Sequence, residues 1–331
     1  MGLRMLARNL NFARPGIRFA NLLAAITLAA LATPIVKWLV VHGGAVGISN
    51  PAAISFCNIL FVGNFLSGIV VVLFFGWRGI WPQLRAMEGS TRGLIFGNLL
   101  IGTVAGPIFL YMALETTTVT NLVLITRIDA VVYTALGFLI FRDSVSKMNW
   151  LGLSFILIGA CVLVLWQGGG APTRGDGLGI LAGTLFALGS LLARLVLKST
   201  DLSVFIFIRN LSGSVVFFCI ALVLYGPHHF MDAFAPNLWV VMFVYAAVVV
   251  VLGDLSWFKA LATVSSSMVA SWSTMTPVLG IFFAFALLGE IPDLPQVIAA
   301  VVIVGGMGVA QIKRRDSTVA PRLLEKALAG G

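Results

Sequence analysis

The sequence predicts an all-α integral membrane protein with ten transmembrane helices, arranged as two inverted five-helix repeats with both termini cytoplasmic. Three observations lead there. The chain of 331 residues is 60% hydrophobic and only 10% charged, with a mean hydropathy of +1.05; soluble domains carry about 25% charge. Its apolar residues fall into runs of roughly 20, the length that crosses the hydrocarbon core as a helix. Its Lys and Arg residues fall almost wholly on one side of those runs. The runs are too long and too continuously apolar for barrel strands.

The elements follow in order. Residues 1–16 form a basic segment with Arg4, Arg8 and Arg14. Apolar runs then lie at about 17–41, 51–76, 93–114, 119–141, 150–167, 177–197, 203–226, 238–260, 266–288 and 292–311. Residues 168–176 link the halves and begin Gly168-Gly169-Gly170-Ala171-Pro172, a flexible connector. The domains are therefore 17–167 and 177–311, followed by a tail at 312–331 with Lys313, Arg314 and Arg315. With the N-terminus inside, Arg78, Arg85, Arg92, Arg142, Lys147, Lys198 and the tail bases all face inward, and the outer loops hold only Arg174. The net charge of +9 thus reflects membrane orientation and contact with anionic lipid, not nucleic-acid binding. The location expected is a bacterial inner membrane.

The halves echo each other. Thr27-Leu28-Ala29-Ala30-Leu31-Ala32 reads against Thr184-Leu185-Phe186-Ala187-Leu188-Gly189. At an offset of 147 residues, Tyr111-Met112-Ala113-Leu114 lies on Phe258-Lys259-Ala260-Leu261, Gly106 on Gly253, Asp143 on Glu290 and Gly159 on Gly306. A cleaved leader ending near Ala30-Leu31-Ala32 is set aside, because a removed segment would not be echoed in mid-chain. Five spans per half is odd, so the second half enters the membrane inverted. Inverted repeats are a signature of secondary transporters, with solute bound near the midplane between the halves.

This order of features resembles the drug/metabolite transporter superfamily, and within it the ten-helix EamA-like transporters. The residues that carry the resemblance are Tyr111-x-Ala113-Leu114 and Phe258-x-Ala260-Leu261, and the acids Asp143 and Glu290 after spans four and nine. Glycine-bearing helices follow each acid, with Gly152 and Gly159 in one half and Gly305 and Gly306 in the other. Leu288-Gly289-Glu290 matches the family pattern, and Arg142-Asp143 departs from it. The resemblance covers about 17–311. It implies an inverted-repeat bundle whose central cavity opens alternately to each side, exporting amino acids or other small metabolites.

The candidate site starts from Arg127 and Asp129, in the middle of span four. Each charge costs about 2.5–3.5 kcal/mol at membrane depth on insertion scales. Residues two apart do not share a helix face, so the two are expected to point at different neighbours or into a wet cavity. The offset sets Arg127 on Thr274 and Asp129 on Thr276. Thr126, Arg127 and Asp129 are therefore expected opposite Ser271, Trp272, Thr274 and Thr276, with Tyr111 nearby, as a substrate site. Arg127 would take a carboxylate or phosphate, Trp272 would stack the solute, and Asp129 would bind an amine or carry a coupling proton. The alternative is a pair of structural charges.

Asp254, beside Gly253 and aligned with Pro107, marks either a discontinuous helix or an ion-paired acid. Arg209 either pairs with Asp254 or guards the inner mouth. Lys37 either snorkels to the outer headgroups or gates. The motifs Gly93-xxx-Gly97, Gly102-xxx-Gly106 and Gly179-xxx-Gly183 are expected to pack helices closely. Cys57, Cys161 and Cys219 are expected to be buried packing residues.

No cofactor or metal is expected, since there is no phosphate-binding glycine loop with its lysine and no ligand cluster. A passive facilitator or channel is the alternative function. A membrane enzyme is less favoured, because the short loops lack paired acids, a His–metal set or an activated serine.

Overall fold

The computed structural model describes residues 15–42, 56–142, 145–167, 173–226, 236–253, 256 and 275–311. Every regular element among them is helical. Helix α1 is Pro15–His42, α2 Phe56–Phe75 and α3 Trp77–Ala86. Helix α4, Gly89–Asn98, runs on as a π-helical segment π1, Leu99–Ala105, and then as α5, Gly106–Leu114. Next come α6 Val119–Ile125, α7 Ile128–Phe141 and α8 Lys147–Gln167. The second half holds α9 Arg174–Val196, α10 Leu202–Tyr225 and α11 Pro236–Val244, which continues as π2, Tyr245–Leu252. It ends with α12 Met275–Leu288 and α13 Leu294–Val309.

Six helical stretches among the described residues are long and apolar enough to cross a membrane: Ala20–His42, Gly89–Leu114, Val119–Ile140, Lys147–Trp166, Arg174–Val196 and Leu202–Val223. Helix α2 is equally apolar but turns by 107° into α3. Gly76 makes that corner with φ of +74°, a conformation costly for any residue with a Cβ. Leu73, Leu139, Val223 and Val301 stand exposed, as side chains that face lipid do. Cys161 and Cys219 also lie exposed, which corrects their expected burial. The apolar pattern identifies a membrane helix; when nearly every position is apolar, it does not say which face packs.

Helices of the two halves interleave. Helix α2 packs on α10, α8 on α13, α5 on α9 and α1 on α12. Small residues set the closest crossings. A Cβ on Gly189 would stand 2.6 Å from the Gly102 Cα, and one on Gly152 would overlap the Gly306 carbonyl oxygen. Gly179 and Gly183 both face span four, against Ile125, Thr126 and Ile128. Gly93 is different: nothing lies within 4 Å of its Cβ position. Of the first glycine pair only Gly97 reaches a neighbouring helix, Leu192 of α9, so that motif is corrected to a single contact.

The weakness expected near Gly106 and Gly253 takes the form of the two π segments, which end at those glycines. Pro107 has no N–H to donate, and its ring crowds the carbonyl four residues back. The wider π turn before it relieves that crowding.

Candidate functional site

A cavity of about 310 Å³ opens among the described helices. It is at the low end of the roughly 300–1,000 Å³ typical of small-molecule sites. Both halves build it. Helix α2 contributes Gly63, Asn64 and Ser67; π1 and α5 contribute Thr103, Pro107 and Tyr111. The lining also includes Phe186 of α9, Arg209 and Asn210 of α10, and Tyr245 and Val250 of π2. Both π segments therefore line the same cavity. Such segments often mark functional sites, because the extra residue re-aims side chains.

Three polar atoms of this lining are buried without a hydrogen bond among the described residues. Ser67 and Asn210 are each 1% exposed. Ser67 Oγ, Asn210 Nδ2 and Arg209 Nε make no hydrogen bond among the described residues. Leaving such a group unpaired costs about 1–3 kcal/mol. Asn64 uses its amide on the Leu60 carbonyl at 2.7 Å. The Arg209 guanidinium lies 6.0 Å over the Phe205 ring, at the outer limit of a cation–π contact. Arg209 is the eighth residue of α10, about 10 Å in from its start at 1.5 Å per residue.

Span four is not one continuous helix. The α-helical ladder stops at Ile125 and resumes at Ile128. Through the break the bonds span three residues, from Arg127 N–H to Leu124 O at 3.2 Å and from Asp129 N–H to Thr126 O at 3.0 Å. This brings Arg127 and Asp129 together, with Nη2 and Oδ2 3.8 Å apart. The expectation that they would point apart is thereby corrected. Residues two apart diverge by about 160° in an α-helix but only about 120° at three residues per turn. The two side chains are 24% and 32% exposed.

Thr126, Arg127 and Thr276 line a second pocket of about 60 Å³, beside Ala29, Thr33 and Gly280, with room for water but not for a metabolite. The Thr126 hydroxyl donates to the Leu122 carbonyl of its own helix at 2.7 Å. Of the residues singled out from sequence, Tyr111 and Arg209 thus line the large cavity, and Thr126, Arg127 and Thr276 the small one. Ser271, Trp272, Thr274 and Asp254 lie outside the described residues.

Lys37 is half-buried and donates its ammonium to the Leu114 carbonyl at the end of α5. This corrects the expectation of a headgroup contact: the last carbonyls of a helix lack partners, and a nearby ammonium satisfies one of them.

Beside it, the two halves are clasped. Glu290 accepts from the Val119 and Thr120 backbone N–H groups at 2.9 and 3.0 Å, and from the Thr120 hydroxyl at 3.1 Å. Gln296 donates to Asn121 Oδ1 at 2.8 Å and to Thr118 Oγ1 at 3.2 Å. At the opposite end of the bundle, Thr91 Oγ1 meets Ser199 Oγ at 3.2 Å, and Gln83 donates to Asp201 at 2.6 Å. Sequence reasoning missed Asn64, Ser67 and Asn210. Asn64 and Ser67 stand three apart on one face of an otherwise apolar helix, a spacing that marks an inward polar stripe.

An apolar helical bundle around a cavity of mixed polar and apolar lining is the architecture of an integral membrane protein. The EamA-like transporter family model matches the chain twice, over residues 17–165 and 173–310, and the chain belongs to that family. It is 30% identical over 293 residues to an uncharacterized transporter of Synechocystis, covering 85% of this chain and 83% of that one. It is 26% identical over 215 residues to an uncharacterized transporter of Methanothermobacter thermautotrophicus, covering 63% and 61%. A crystal structure at 16% identity superposes with a TM-score of 0.61 over 90% of this chain and 99% of the other, a likeness of fold.

Proposed function

We propose that the chain is a secondary transporter that exports or exchanges a small polar metabolite, of amino-acid size, by alternating access. In this reading ten helices form two inverted repeats at 17–167 and 177–311. Both termini are cytoplasmic, and the membrane is a bacterial inner membrane. Several findings support it. The family model matches each half separately. The two π segments, Leu99–Ala105 and Tyr245–Leu252, lie at the repeat offset. Span two packs on span seven and span five on span ten, each pair self-matched under exchange of the halves. Helix α3 carries stacked Trp77 and Trp81 with Arg85 over Trp81, suited to a headgroup layer beside anionic lipid.

The observation that carries the proposal is the cavity of about 310 Å³ lined by both halves and by both π segments. Substrate binds there, between Arg209, Asn210, Ser67, Tyr111 and Tyr245. The Glu290 and Gln296 clasp closes one mouth, and the Arg127–Asp129 break lets span four flex beside it. Counterflow of labelled amino acids and organic acids in proteoliposomes tests the reading. Wild-type protein accumulates at least one of them, and Ser67→Ala or Asn210→Ala lowers that flux. Flux untouched by either variant removes the cavity from the path. Flux that responds to an imposed pH gradient supports proton antiport, and flux that ignores it supports facilitation.

A further inference from the structure

Resting on the cavity as the substrate site, we propose that its solute is an organic anion, whose carboxylate docks on Arg209, Asn210 and Ser67. Two buried groups argue this. Asn210 Nδ2 can only donate, and it has no acceptor among the described residues. Arg209 Nε can only donate and likewise has no acceptor among the described residues. Ser67 Oγ, a hydroxyl, is a third group without a partner among the described residues, and all three residues line one cavity.

Their convergence follows from the backbone. Helices α2 and α10 cross where Gly68 meets Leu211, with the Gly68 Cβ position 3.8 Å from the Leu211 backbone nitrogen. Ser67 and Asn210 are the residues next to that contact. A site rich in donors and carrying one guanidinium selects an acceptor-only, negatively charged group. Phe186 and Pro107 line the same cavity, which suits an apolar body. The ligand chemistry is thus a small carboxylate with a hydrophobic or aromatic remainder, recognised through its acid group, with the amino group of an amino acid dispensable.

The test uses the full chain in lipid nanodiscs and matched probes that differ in one group. These are leucine and leucinamide, 4-methyl-2-oxopentanoate and its amide, and phenylpyruvate and its amide. Binding is read by calorimetry and by ligand-induced shift of the unfolding temperature. Each acid is expected to bind roughly tenfold to a hundredfold more tightly than its amide, the range of a charge-assisted hydrogen bond. The oxo acids should bind as well as leucine. Arg209→Gln should erase the preference for acid over amide, and Arg209→Lys should restore part of it. If amides or amines bind as tightly as acids while Ser67→Ala still weakens them, the cavity reading stands and the anion assignment falls. If Ser67→Ala and Asn210→Ala alter no binding and no flux, the site itself is wrong. Absence of acid-dependent binding across all three pairs overturns the proposal as well.

Discussion

Glu290 grips Thr120 twice, through the backbone N–H at 3.0 Å and the hydroxyl at 3.1 Å, across 170 residues of chain. With the Val119 N–H it caps the first turn of α6 from the other half of the molecule. The first N–H groups of a helix have no internal partner, and a carboxylate also suits the positive end of the helix dipole. Replacing Glu290 with Ala leaves those donors unpaired. The expected loss is about 1–3 kcal/mol, read as a lower unfolding temperature in detergent. Glu290→Gln keeps an acceptor and should lose less.

Gly189 and Gly93 make a matched contrast. Gly189→Ala drives a Cβ to 2.6 Å from the Gly102 Cα, backbone that cannot step aside. Overpacking of this kind costs about 1–3 kcal/mol. Gly93→Ala meets nothing within 4 Å and should be neutral or stabilising by up to about 1 kcal/mol. Thermal unfolding of the two variants side by side checks both signs.

Lys37→Met should lower stability by about 1 kcal/mol, because the Leu114 carbonyl loses its donor while the apolar stem is kept. A headgroup-facing lysine would give no loss. The same unfolding measurement distinguishes the two.

Arg127 and Asp129 should couple weakly. Their 3.8 Å separation and partial exposure place them with pairs worth under about 1 kcal/mol. A double-mutant cycle with Arg127→Ala and Asp129→Ala measures the coupling directly. A value well above that range would mean the pair holds the span-four break closed.

Membrane class and the weakened helices that end near Gly106 and Gly253 were legible because hydropathy and repetition are properties of sequence alone. Local backbone departures were not. Nothing in the apolar run 119–141 announces that its ladder breaks after Ile125, so Arg127 and Asp129 were expected to diverge. Lys37 reads as a snorkelling base until the end of α5 is beside it. Cys161 reads as core because every neighbour in its helix is apolar on all sides. Ser67 and Asn210 gain their weight from one crossing near Gly68, which only the packing of α2 on α10 reveals.

The π segment at Leu99–Ala105 holds one residue more than an α-helical turn would use. If that surplus residue were absorbed into regular winding, everything beyond it would roll by about 100° and travel only about 1.5 Å along the axis. Tyr111, less than two turns onward, would sweep with the rest of α5 from the cavity wall toward another face. A solute could thus be released by rotation in place, at the cost of rearranging a single turn of backbone bonds.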